Sequence, residues 1–223
     1  MLLTNRKFER EEPSLTAKSL YIFCEGAKRE KKYFQYFVKM DSRVNIEVYD
    51  LDDQEDNSPL GLLNIAENST IATKENPSPQ YDFQEGDEVW IVLDRDKDKL
   101  DSRAPQLAAI RAFCQDKPAW NMVQSNPCFE VWLYYHVFDT KPIFDGDDIC
   151  ESWKGWVNTK IPGGFDSRKH PIFIEQAAEH SKANYSATDD EPDKGSTEVH
   201  LLAENMLSIL KEKIDKVLAE VQT

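Results

Sequence analysis

The chain alternates between short apolar runs and amphipathic segments, and this alternation restricts the possible folds more than any motif does. "SLYIFCEG" (19–26) is a brief apolar run, rich in aromatic and β-branched residues, that ends in glycine as a buried strand would. "REKKYFQYFVKM" follows, with Tyr33, Phe34, Phe37 and Val38 on one helical face and charges opposite. "VNIEVYDL" alternates like a strand, and an acidic turn at 52–58 leads into "PLGLLNIAENSTIATKE", read as a helix. After the proline-bearing loop "NPSPQYDFQEGD" come a strand over Glu88–Leu93, a helix over Gln106–Gln115, a strand at "WNMVQS" and a helix over Pro127–Phe138. Strand followed by helix four times over predicts right-handed crossovers and an α/β, Rossmann-like four-stranded parallel sheet with helices on both faces. Such sheets bind ligands beyond the carboxyl ends of their strands, near a switch in strand order. Those ends carry Glu25, Asp50, Asp94 and Ser125–Asn126.

Three segments are expected: a polar tail over 1–18, the sheet domain over 19–138, and a mainly helical C-terminal extension over 139–223. Within the extension, helical patterns cover Asp148–Val157, Pro171–Asn184 and Thr197–Val221, with "SATDDEPDKGS" as a flexible acidic loop before the last. That last helix bears an apolar stripe through Leu202, Met206, Ile209, Leu210, Ile214 and Val217. Packing against the sheet domain is the plainer explanation of the stripe, and a partner or dimer interface is the other.

A net charge of −14 argues against holding nucleic acid by bulk attraction, which needs clustered Lys and Arg. It does not oppose catalysis on nucleic acid when metal ions or a basic partner supply positive charge. The four cysteines form no CxxC pair, and Cys24 and Cys128 fall in apolar runs as small hydrophobes, which points to a reduced, cytoplasmic setting without a zinc site. "MLLTNRKFEREEPS" is too charged for a signal-peptide core, and no apolar run reaches membrane-spanning length.

The most pointed local feature is "VWIVLDRDKDKL", a buried strand that runs into Asp94, Asp96 and Asp98. An EF-hand loop counted from Asp94 would need Gly and Glu where Lys99 and Pro105 stand. A phosphatase with Asp94 as nucleophile usually has Thr or Val where this chain has Asp98, and its motif tends to follow the first strand, not the third. A solvated acidic loop and a clamp of hard oxygens for Mg²⁺ or Mn²⁺ remain. Glu25 favours the clamp. It ends the first strand before Gly26, whose missing side chain permits a sharp turn into the helix. Carboxylates at two neighbouring strand ends repel one another until a cation or proton intervenes. Glu130 is the one formal charge between Asn126 and Phe138 in a helix apolar nearly all round, so it needs a partner. In that helix Asn126 suits the cap and Pro127 the first position. His136 reads as a hydrogen-bonded core histidine.

"LYIFCEGAKREKKYF", "VWIVLDRDKDK" and "SNPCFEVWLYYH", in that order, resemble the RloB-like family of bacterial defence proteins, which carry a Toprim-type catalytic fold. A weaker echo is "GSTEVHLLAENML". Where the family's first motif often has Thr before its second Glu, this chain has Arg29 before Glu30. The resemblance implies that Glu25, Asp94 and Asp96 are the catalytic signature, with Asp98 as a further metal ligand beside them. It also implies a Mg²⁺-dependent nuclease acting on DNA or RNA, with an ABC/AAA-type ATPase encoded nearby as partner, in anti-phage or abortive-infection defence. Metal on Asp94 and Asp96 would polarise a phosphodiester while Glu25 acts as general acid/base or further ligand. Lys28, Arg95, Lys97 and Lys99 are candidate phosphate contacts, or ordinary surface charge, and Gly26, Asn126 and Glu130 are supporting candidates. Two other classes stay open: a non-catalytic assembly or sensor subunit, homo-oligomeric or bound to a partner, and a metal-dependent phosphatase. Ser196, Thr197 and His200 either cap and pack the last helix or reach a site.

Overall fold

The apolar runs form parallel strands. In the computed structural model, which describes residues 8–26, 28–52, 54–96 and 100–222, the elements run in chain order β1 (Lys18–Cys24), α1 (Arg29–Phe34), β2 (Val44–Val48), α2 (Pro59–Thr70), β3 (Glu88–Asp94), α3 (Leu100–Gln115), β4 (Trp120–Ser125), α4 (Glu130–Tyr135), α5 (Cys150–Lys160), α6 (Ile174–Ala183), β5 (Ala187–Thr188), β6 (Glu191–Pro192) and α7 (Val199–Gln222). The sheet order is β2-β1-β3-β4, and every neighbouring pair is parallel. The chain leaves β1 for one side and returns to the other, so strand order switches between β1 and β3.

Period-two alternation gives the sheet two cores. Leu20, Ile22, Trp90, Val92 and Val123 face one, which residues of α1, α4, α5, α6 and α7 complete. Tyr21, Phe23, Val89, Ile91 and Met122 face the other, closed by Leu62, Leu63 and Ala66 of α2 and Leu107 and Ile110 of α3. The Rossmann-like α/β expectation therefore holds.

Several element assignments differ from the sequence expectation, and three of them bear on the site. α3 begins at Leu100, not at 106, because Pro105 is accommodated inside the helix with the loss of one backbone donor. α4 covers only Glu130–Tyr135, and Asn126 does not cap it. Instead the Asn126 amide donates to Pro192 O at 2.7 Å, and the Phe129 N–H donates to Asp94. The acidic segment before the last helix is a small antiparallel hairpin, β5 with β6.

The extension shares its core with the sheet. Trp153, Ile174, Leu202, Met206, Leu210, Ile214 and Val217 are buried in one cluster with Leu20, Trp90 and Phe129. The stripe on α7 is thus covered within the chain, as the plainer reading expected. Residues 195–198 run antiparallel to the end of β4. Glu198 N–H donates to Gln124 O (2.8 Å), Gln124 N–H to the Glu198 carboxylate (2.9 Å), and Asn126 N–H to Ser196 O (3.0 Å). The Ser125 and Thr197 hydroxyls share a hydrogen bond of 2.8 Å, and Thr197 Oγ1 accepts from Val199 N–H. His200 Nδ1 lies 2.8 Å from Thr197 O. Ser196, Thr197 and His200 therefore cap and pack α7 and shield an otherwise open sheet edge. No helix among the described residues is long and apolar enough to cross a membrane.

His136 is the core histidine expected. Its Nδ1 donates to Trp132 O (3.1 Å), and its Nε2 accepts from the Tyr33 hydroxyl (3.0 Å). Burial pushes its pKa from 6.5 down to about 3. The folded state thus excludes a proton that the unfolded chain binds. The stability this histidine contributes is complete above about pH 6.5 and falls with pH by about 1.4 kcal/mol per unit. Urea unfolding of His136→Gln should show a flatter acid limb between about pH 6.5 and 4. A slope equal to that of the unsubstituted protein would mean that the imidazole protonates without unfolding the core.

Candidate functional site

The register of β1 and β3 sets the site. Cys24 lies opposite Val92, so Glu25 and Asp94 leave the sheet side by side at the switch point. Side-chain alternation then turns them to opposite faces. Asp94 follows Trp90 and Val92 towards α4 and α5. It is 9% exposed, and its Oδ1 accepts the Phe129 N–H at 2.9 Å while Oδ2 stands 4.0 Å from Cys150 Sγ. Glu25 follows Tyr21 and Phe23 towards α3, where Arg103 takes both its oxygens, Nη1 on Oε1 at 2.8 Å and Nη2 on Oε2. Glu25 also accepts Asp94 N–H at 3.2 Å, and Arg103 donates to Asp94 O at 3.1 Å. One guanidinium therefore joins the two strand ends.

Two further carboxylates close on the same place. Glu130 is 1% exposed, and the partner it requires is Arg29, with Nη1 2.9 Å from Oε1. Glu30 is buried beside Gly26, where a Cβ would lie 2.0 Å from Glu30 Oε2. Gly26 has no positive φ, so its role is to give that carboxylate room, not to permit a turn. Burial pushes the Glu30 pKa up to about 7, with the charges of Glu130 and Glu25 adding to it. Asp94 is driven well above the carboxylate range by burial, then by Glu30 and Glu25. Burial opposes the charge on Lys154, but Glu130 and Asp94 outweigh it and raise its pKa.

Apart from Arg103, which stands behind Glu25, these groups line an open cleft of about 520 Å³. Glu25, Gly26, Lys28, Asp94, Asp96 and Glu130, all expected from sequence, border it. Asn126 does not, since its side chain serves the hairpin. Arg95 is likewise drawn to the hairpin, donating to Pro192 O at 3.1 Å and pairing with Glu191. Asp50 is paired with Lys31. Asp98, Lys97 and Lys99 lie outside the described residues. The sequence reading missed Glu30, Arg103, Cys150 and Lys154. Arg103 had a recoverable signal, since it shares a helical face with Leu107 and Ile110 once α3 is begun at 100. Cys150 and Lys154 had none, because they come from an extension more than fifty residues after the aspartates.

The donor set suits a hard divalent cation, being carboxylate oxygens on an edge whose mutual repulsion such an ion would relieve. Among the described residues no three acidic, Cys or His side chains already form a metal cage. Mg²⁺ does not require one, since it commonly takes one or two carboxylates and completes its shell with water and substrate phosphate.

Removing Arg29 should leave Glu130 buried without its cation. Because Arg29 is about half exposed, the penalty expected for Arg29→Ala is about 1–2 kcal/mol, less than for a fully buried pair. Adding Glu130→Gln should recover part of that loss. Denaturant unfolding of both single variants and the double variant measures the coupling, and strict additivity would mean the pair contributes nothing.

Comparison with curated proteins and with solved structures gave no match. The family model described as RloB-like protein matches residues 20–206, a span that takes in every cleft residue named above and the first turns of α7. The chain belongs to the RloB-like protein family.

Proposed function

We propose that the cleft is the active site of a Mg²⁺-dependent nuclease that hydrolyses phosphodiester bonds of DNA or RNA. The observation that carries this reading is the convergence of Glu25, Asp94 and Asp96 on one cleft at the switch point of the sheet, with Glu30 and Glu130 beside them. Strand carboxylates placed this way repel a phosphodiester unless cations intervene, which is why a cation belongs to the proposal. Asp94 and Asp96 would hold Mg²⁺, with Mn²⁺ as a substitute. When bound, the ion would act as a Lewis acid on the phosphodiester and offset its developing charge.

The chain's own groups have separable tasks. Arg103 holds Glu25 in place along the edge, where Glu25 can accept a proton or add a ligand. Glu30, with a pKa of about 7, can exchange a proton near neutrality. Lys28, exposed at the mouth, supplies positive charge for the substrate backbone. The wider reading rests on the resemblance to defence proteins: an anti-phage or abortive-infection effector in the cytoplasm, working with an ABC/AAA-type ATPase. The assembly-subunit alternative loses the stripe that favoured it, because α7 is buried against its own sheet.

Glu25→Gln and Asp94→Asn should each lower Mg²⁺-dependent cleavage of labelled DNA or RNA oligonucleotides by at least about a hundredfold without changing the fold. Gel assays with and without chelator, together with thermal melts, make the check. Cleavage retained by both variants would end the nuclease reading.

A further inference from the structure

Trp153 and Val157 are fully buried and fix the rotation of α5. This turns Cys150 and Lys154, four residues apart and hence on one helical face, into the cleft. Cys150 Sγ comes within 4.0 Å of Asp94 Oδ2, so Lys154 stands one turn further along the face that looks at the acids. Of the other cations about the cleft, Arg103 is committed to Glu25 and Arg29 to Glu130, while Lys28 stands exposed at the mouth. Among the described residues, no direct ion pair or hydrogen bond occupies the Lys154 ammonium. A half-buried lysine on a flexible stem, uncommitted beside carboxylates, is free to meet an anion that enters.

We propose that Lys154 binds the phosphate backbone of the nucleic acid in this cleft, making the C-terminal extension part of the substrate site. The inference rests on the nuclease reading above. A phosphodiester brings negative charge to an edge already rich in it, and Asp94 and Asp96, which would hold an ion there, stand at the end of β3. Lys154 approaches from α5, across the cleft, and can donate to a phosphate oxygen that the strand-bound ion does not cover.

Fluorescence anisotropy with a labelled single-stranded DNA and an RNA of the same sequence, in Ca²⁺ to suppress cleavage, tests this. Lys154→Ala should weaken binding about tenfold and reduce the slope of log K against log salt by about 0.7, the signature of one lost phosphate contact. Lys154→Arg should recover most of both. Mn²⁺ affinity measured without oligonucleotide should not fall in Lys154→Ala, since a neighbouring positive charge has been removed. The oligonucleotide that responds identifies the substrate class. If Lys154→Ala melts normally and matches the unsubstituted protein in affinity and salt slope while Asp94→Asn still abolishes cleavage, the proposal fails and the nuclease reading stands. If the unsubstituted protein neither binds nor cleaves either oligonucleotide, both fail together.

Discussion

Glu25, Glu30, Asp94 and Glu130 meet at one edge of a parallel sheet, and their mutual repulsion is the constraint to which the surrounding structure answers. Asp94 bears most of it, being the most strongly desolvated of the strand-end acids and tied by the Phe129 N–H to the start of α4. Three elements each bring a cation to the cluster: α3 with Arg103, the start of α1 with Arg29, and α5 with Lys154. Two of the three are consumed in holding carboxylates still. The residual demand for positive charge is what the proposed cation would answer.

The C-terminal extension belongs to this arrangement and is not an appendage to it. Trp153 and Ile174 lie in the same core as Leu20 and Trp90, and residues 195–198 complete the hydrogen bonding of the end of β4. Because Tyr135 OH also donates to Gly195 O, the segment that enters α7 is tied to α4, whose N-terminal turn receives Asp94. The extension and the acids are therefore joined through a few named bonds.

Much of this was legible in the residues. Short apolar runs with helical segments between them identify a parallel sheet, since crossover helices cover both faces and bury its strands on both. Carboxylates placed directly after two such runs mark the edge at which the cleft opens. Gly26 was recognised as special for the wrong reason, because glycine's freedom of turning and glycine's lack of a side chain leave the same trace in a sequence. Asn126–Pro127 resembled a helix start since the dipeptide has the right chemistry for one, yet Asp94 supplies the acceptor from another strand. Competition between a local cap and a distant one is decided by packing, which local pattern does not encode.

Taken alone, the sequence determined the fold class, the edge of the sheet where acids gather, and Glu25, Asp94, Asp96 and Glu130 as acids that border its cleft. Periodicity and strand ends are local properties, readable over ten residues at a time. Only the tertiary structure decided which cation serves which acid, that Glu30 belongs with them, and that Lys154 reaches the cleft from the extension. Those facts depend on contacts between residues from 60 to more than 100 positions apart, such as Arg29 with Glu130 and Arg103 with Glu25. Charge pairing is set by distance in space, and no spacing along the chain reveals it.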